Sequence, residues 1–582
     1  MKLYSVALIA MAAATLATCT VRQAQQDLAE RRSAQWQRMQ DSRAYSEFLR
    51  GRYAALTNAP HAAASFYAAA AKNEPQDRDI LERATFTSLI ADDVQTALTT
   101  AKNAPATART GTALPNLVLA VDAIVENKPR RAEKYLELNT NSLFNNLIAN
   151  SLKAWAAYDL RGLDAGIAAL GETPDQTSLL GGLSEVTKGL MQLHAEQQTE
   201  ALTTFEAMWD NGFRLASTTE MHAKLLAASG RNKEAIELLT TFGQRVGQNA
   251  AIEDTRRALL AGEAASLSQF SVSQGAALSV YTAAATLAAQ KDGDLAGVYF
   301  ALALHLDEDL HVARTLWANS LDAADRRGDA IDLLLEVPGN SVFYSTARGQ
   351  LAWALRREGR NEEALRTASE ALELSADRNL KIQLGDLFRS LGNIEQAAHV
   401  FTEVIDADTE KNTQDWRLYY ARGAIREQLE MWPEGEADLL IALDLAPRQP
   451  ALLNYLGYSW IDRGEHLEQS LEMIKTAVAL RPNAGFIVDS LGWAHYQLGD
   501  YEQAVQHLER AVELSPSDAD LNYHLGDAYW QVGRKTEAKF QWKRVLKIDP
   551  DHEDAASIRT KLENGLPPTA PSSPASSRQT SP

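Results

Sequence analysis

The chain has almost no thiol chemistry: one cysteine, Cys19, in 582 residues. A lone thiol closes no intrachain disulfide, and a zinc site built on several cysteines is excluded. Basic residues fall short of acidic ones, 57 Lys+Arg against 76 Asp+Glu, for a formal net charge of −19. A surface that acidic repels phosphate backbones, which excludes general nucleic-acid binding and a broad basic face for anionic lipid. The sequence holds no Gly-rich phosphate loop, no G-x-S-x-G elbow and no H-E-x-x-H. Its eleven histidines are scattered. His495, His507 and His524 lie close along the chain but on different helix faces or repeats, which suits surface or groove positions better than a metal cluster. Asp518, Asp520 and Asn522 mimic the start of a calcium loop, yet Tyr523 stands where that turn needs glycine; they favour a helix N-terminus instead. The expectation is a chain without enzymatic activity, cofactor or metal.

What is present begins at the N-terminus. Lys2 precedes an apolar run from Leu3 to Ala17, broken only by Tyr4, Ser5 and Thr15. It is short for a membrane span and has the proportions of a secretory signal core. The run ends in "LATC", Leu16 to Cys19, which resembles the bacterial lipobox, although Thr18 stands where that motif prefers Gly, Ala or Ser. The resemblance implies that 1–18 is a signal peptide and that Cys19 is lipidated and anchors the chain to a membrane. Thr20, in place of a retaining aspartate, points to the outer membrane, with the chain in the periplasm. A plain signal or an uncleaved anchor is the alternative. Residues 19–40 are polar and read as a tether or leading helix.

From 41 to 563, apolar residues recur at i, i+3, i+4 and i+7, so the fold class is all-α. "LGDYEQA" (498–504), "VGRKTEA" (532–538), "LGNIEQA" (391–397), "EGRNEEA" (358–364) and "SGRNKEA" (229–235) share one punctuation, Gly, four residues, Ala. The glycine supplies a left-handed helix end, and the alanine lets a second helix approach closely. Pro447, Pro482, Pro516 and Pro550 close units of 34 residues, with one extra near Glu465. This helix–turn–helix unit resembles the tetratricopeptide repeat, which implies a solenoid of stacked hairpins with a concave groove. The resemblance is carried by Leu491, Gly492, Ala504, Leu508, Ala511 and Pro516, then by Leu525, Gly526, Tyr529, Ala538, Trp542 and Pro550. It divides the chain into degenerate repeats over 41–265, middle hairpins over 266–345, clear repeats over 346–563 and a Pro/Ser-rich tail, 564–582.

In such repeats the second, fifth, ninth, twelfth and thirteenth positions of the first helix face the groove. The resemblance places Tyr458, Asp489, Trp493, Tyr496, Tyr523, Asp527 and Trp530 there, with Phe486, Gln497 and Asp520 beside them. Rings interleaved with acids suit peptides bearing basic and apolar side chains. The family's clamp for a terminal carboxylate needs Lys and Asn at the fifth and ninth positions. Here those positions are Asn454 and Tyr458, Asp489 and Trp493, Tyr523 and Asp527. That clamp is missing.

"LNYLGYSWIDRG" (453–464), "LRPNAGFIVDSLGW" (480–493) and "NYHLGDAYWQVGR" (522–534) resemble a group of long proteobacterial envelope repeat proteins. One branch of that group is an outer-membrane lipoprotein that binds a periplasmic carboxyl-terminal processing protease and helps it degrade cell-wall hydrolases. The resemblance implies a non-enzymatic adaptor with a protein partner. The alternative is an assembly component of an envelope polysaccharide or lipid export machine.

Overall fold

The computed structural model describes residues 42–566, leaving out 138–142, 172–178, 248, 265–266, 268, 291–292, 375–376 and 411. Cys19, the signal segment, the tether and the tail beyond 566 lie outside the described residues. Every described element is a helix, and no strand occurs among the described residues. No described helix is long and apolar enough to cross a membrane. The chain divides into two compact units, Met1–Leu374 and Ser375–Pro582.

The second unit is a run of hairpins. First helices are Arg378–Ser390, Trp416–Gln428, Pro450–Arg463, Gly485–Gln497 and Ala519–Gln531; second helices are Ile394–Glu410, Trp432–Leu445, Leu467–Leu480, Tyr501–Leu514 and Lys535–Ile548. In four of the five hairpins the turn follows from a left-handed glycine, Gly392, Gly464, Gly499 or Gly533; Glu430, φ 61°, holds it in the other. Gly499 has φ 81°, and the next N–H, on Asp500, reaches back to the carbonyl of His495 at 2.9 Å. Gly533 repeats this at φ 80°, with Arg534 N–H on the Tyr529 carbonyl at 2.8 Å. A left-handed residue here satisfies carbonyls that the helix end leaves open. Five residues on, Ala504 and Ala538 are wholly buried, as the repeat register requires. The first helix also makes room for the second. A Cβ at Gly492 would lie 2.6 Å from Leu508, and one at Gly526 would lie 2.6 Å from Trp542. With the extra residue near Glu465, His466 is left-handed two residues after Gly464, and wholly buried Ser470 takes the alanine's place.

The first unit keeps the same turn, with glycine at Gly230 and Gly359 and other residues elsewhere. Asn58, Asp92, Asn127, Glu196 and Asp325 hold φ between 55° and 65° at the hairpin bends. The following N–H makes the same back-bond each time, for example Asp93 to Ser88 and Lys128 to Ala123, both at 2.8 Å. Five residues beyond each bend stand Ala63, Ala97, Ala132, Ala201 and Ala330, all wholly buried. These hairpins therefore share the turn and the buried alanine of the second unit without its glycine. Other parts are irregular: the 19-residue helix Leu143–Arg161 turns at Gly162 into the short helix Leu163–Ala169.

Within this unit the chain also folds back on itself. The hairpin Val272–Ala289 with Gly293–Leu306 packs onto the first helices of earlier hairpins. Its first helix lies against Leu143–Arg161 and Leu179–His194, and its second against Arg78–Ile90 and Leu114–Val125. Buried Trp155 donates its indole N–H to Ser279 Oγ at 3.0 Å, and Gly275 leaves room for the Trp155 ring. The sequence accounts for the insertion, because "GDLAGVYFALALHL" is apolar on nearly all sides and such a helix must be covered all round. The row of first helices that would form an inner face here is occupied by the chain's own hairpin.

Candidate functional site

The groove positions of the second unit lie on Pro450–Arg463, Gly485–Gln497 and Ala519–Gln531, neighbouring first helices that touch one another. Trp493 and Tyr496, one turn apart, stack with ring centroids 4.6 Å apart and planes 7° from parallel. His524 from the next repeat stacks on the other side of Trp493 at 4.2 Å. The series runs on through Tyr523, 6.2 Å from His524, to His552, 5.8 Å from Tyr523. Tyr458 stands one repeat earlier, half-buried. Burial raises its phenol above the ordinary value, and the carboxylates of Asp462, Asp489 and Asp520 push the same way. Tyr496 is raised chiefly by burial as well. Both hydroxyls remain neutral donors near pH 7. Tyr496, Trp493, His524 and Tyr523 form one stack across two consecutive repeats.

The two acids expected at the groove surface are 5% and 4% exposed, and each is engaged inside the fold. Asp489 Oδ2 lies 2.9 Å from His524 Nδ1. Burial would lower the His524 pKa, but the charges of Asp489, Asp520 and Asp527 and the bond to Asp489 outweigh it and hold the imidazole above its ordinary value. Asp527 accepts from Trp542 Nε1 at 2.9 Å and from Lys561 Nζ at 2.7 Å. Lys561 comes from Ala555–Asn564, the helix that closes the array. Its ammonium also donates to the Tyr523 hydroxyl at 2.6 Å and lies 4.1 Å from that ring's centroid. Burial opposes its charge, but Asp527 and Tyr523 hold its pKa above the ordinary lysine value.

Repeat register thus places the rings in one series, but it does not leave every one of them open. Trp530 turns toward the end of the array, 5.4 Å from Trp542, and a Cβ on Gly565 would overlap its ring. Tyr523 is engaged by Lys561. The surface left for a ligand is built on Tyr458, Trp493 and Tyr496, flanked by exposed Phe486, Gln497 and Asp520. Beneath it, Asn454 Oδ1 and Asp489 Oδ1 are buried acceptors without a hydrogen-bond partner, both at the fifth position of consecutive first helices. Repeat register gives no role to Lys561, which lies beyond the last repeat, or to His552 at its end, and it does not pair His524, expected at the surface or groove, with Asp489. Among the described residues, no group of three or more His, Cys, Asp or Glu is placed to hold a metal ion.

Models of the tetratricopeptide repeat family match residues 345–370, 382–450 and 519–552, and a further TPR repeat model matches 492–533. The clear hairpins are tetratricopeptide repeats. A TPR repeat-containing protein of Pseudomonas aeruginosa is 28% identical over 171 residues, 29% of this chain and 28% of that protein. The chain therefore spans less than a third of that relative's length. Two solved structures are similar at low identity. Cut9–Hcn1, from an APC/C hetero-tetramer, is 16% identical with a TM-score of 0.37, over 84% of this chain and 96% of that one. A tetratricopeptide repeat protein from Parabacteroides merdae is 17% identical with a TM-score of 0.36, over 44% and 99%. Tetratricopeptide-repeat proteins are in general protein-interaction scaffolds.

Proposed function

We propose that the chain is a non-enzymatic adaptor held at the bacterial envelope, and that it seats a segment of a partner protein on the first helices between 450 and 531. The observation that carries this reading is the stacked pair Trp493 and Tyr496, with Tyr458 on the neighbouring first helix. Large rings dominate desolvated contacts. In the first unit the chain's own hairpin lies on four of the first helices, Arg78–Ile90, Leu114–Val125, Leu143–Arg161 and Leu179–His194.

The tether in this reading is a lipid on Cys19, and the partner is a periplasmic carboxyl-terminal processing protease. Support comes from "LATC" (16–19) and from the resemblance at 453–464, 480–493 and 522–534. Cys19→Ser should shift the protein from the membrane fraction to the soluble periplasm or leave it as precursor, with helix content unchanged. The protease should co-purify with the wild type, and its wall-hydrolase substrates should accumulate in a deletion strain. Unchanged fractionation of the Cys19→Ser chain would remove the lipid tether. Absence of both protease and hydrolase accumulation would remove the protease as partner.

A further inference from the structure

The two ends of a repeat array are its weak points, because each exposes a face that a neighbour would otherwise cover. The C-terminal end has a polar lid: Ala555–Asn564 buries Ala555 and Ile558 and turns Ser557, Arg559, Thr560 and Glu563 outward. The first described helix, 42–56, is built in the opposite way. Ala44, Gly51 and Ala54 are buried on its inner side, with Gly51 tight against the Tyr67 ring. Its outer side carries Tyr45, Leu49, Tyr53 and Leu56, which are 64%, 44%, 71% and 79% exposed. At 100° per residue these four positions fall within an arc of about 80°, so they form one straight apolar stripe along the helix.

We infer that this stripe is the seam of a homodimer, in which helix 42–56 pairs antiparallel with the same helix of a second copy. The order of the residues favours a second copy over an unrelated partner. A two-fold axis near the middle of the helix sets Tyr45 opposite Leu56 and Leu49 opposite Tyr53, so every ring meets an aliphatic side chain. A surface that matches itself when reversed is what an isologous contact needs. The area is adequate. Tyrosines of this size bury about 150–250 Å² each, so the stripe offers roughly 500 Å² per copy. Pairing two copies then removes about 1,000 Å², the lower bound for a specific interface.

The test is the mass of the full chain in solution, by light scattering after size exclusion over a range of micromolar concentrations. The wild type should run at twice the monomer mass. Leu49→Asp with Leu56→Asp should raise the dimer dissociation constant by about a hundredfold or more while helix content stays unchanged. As a second reading, Tyr45→Cys with Leu56→Cys in a Cys19→Ser background should form an intermolecular disulfide. Tyr45→Cys alone, far from the axis, should not. A wild type that is monomeric throughout overturns the inference. So does a monomer that instead sediments with anionic vesicles, or one whose stripe is shielded by its own residues before 42. A dimer that survives the double aspartate substitution overturns it as well.

Discussion

Replacing Tyr458 and Trp493 together by alanine is expected to abolish capture of the protein partner. Each ring is a candidate anchor worth about 2 kcal/mol or more in a desolvated contact, so the pair should weaken binding by roughly a thousandfold. Trp493 is the centre of the series, held on one side by Tyr496 at 4.6 Å and on the other by His524 at 4.2 Å. Its loss therefore removes contact area and also loosens the two rings that flank it. The control is Trp530→Ala. That ring packs against Trp542 and the residues after 564, so its removal should lower stability near the end of the array and leave capture largely intact. Isothermal titration or pull-down with both variants separates the two effects. Equal loss of binding in both would mean that the partner does not read the open rings.

The second large effect concerns the lid. Lys561→Met should destabilise the last repeat by about 3–5 kcal/mol, because it leaves the Asp527 carboxylate buried without its cation. Trp542 Nε1 would be its one remaining donor among the hydrogen bonds described here. The repeats are coupled to their neighbours, so the loss should spread through Ala519–Gln531, Lys535–Ile548 and Ala555–Asn564 and fade toward Gly485–Gln497. Hydrogen exchange reads that gradient directly. Asp527→Asn combined with Lys561→Met should recover much of the protection, since removing both charges removes the unpaired one. Protection unchanged in Lys561→Met would contradict a lid held by this pair.

Much of the second unit was legible in the sequence, for a physical reason. A left-handed turn recruits glycine, and a close helix crossing recruits alanine. Gly499, Gly533, Ala504 and Ala538 therefore mark the register by chemistry as well as by spacing. The first unit was harder to read because Asn58, Asp92, Asn127, Glu196 and Asp325 fill the same turn. Asparagine and aspartate tolerate that conformation, so the bend survives while the glycine signal is lost. The buried alanine five residues later was still present and was the better marker. The insertion of 272–306 was hidden for another reason: periodicity shows that a helix is apolar all round, but not which earlier helices will cover it. At the site, register located the rings but not the fate of the acids. The fifth and ninth positions face inward, so register alone makes Asp489 and Asp527 groove charges. Their partners, His524 and Lys561, arrive from the following repeat and from the lid, where the register of a single unit has nothing to say.

The central claim is that the partner sits on the inner first helices between 450 and 531. The most direct measurement is photocrosslinking in cells from a benzophenone side chain placed at single exposed positions. Phe486 and Gln497 lie beside the open rings, while Phe540, 63% exposed, projects from the second helix of the last hairpin. The same discrete partner should crosslink from 486 and from 497, not from 540, and it should vanish when Tyr458 and Trp493 are both alanine. A partner that crosslinks from 540 and not from 486 or 497, or one that persists in the double alanine chain, would contradict the account.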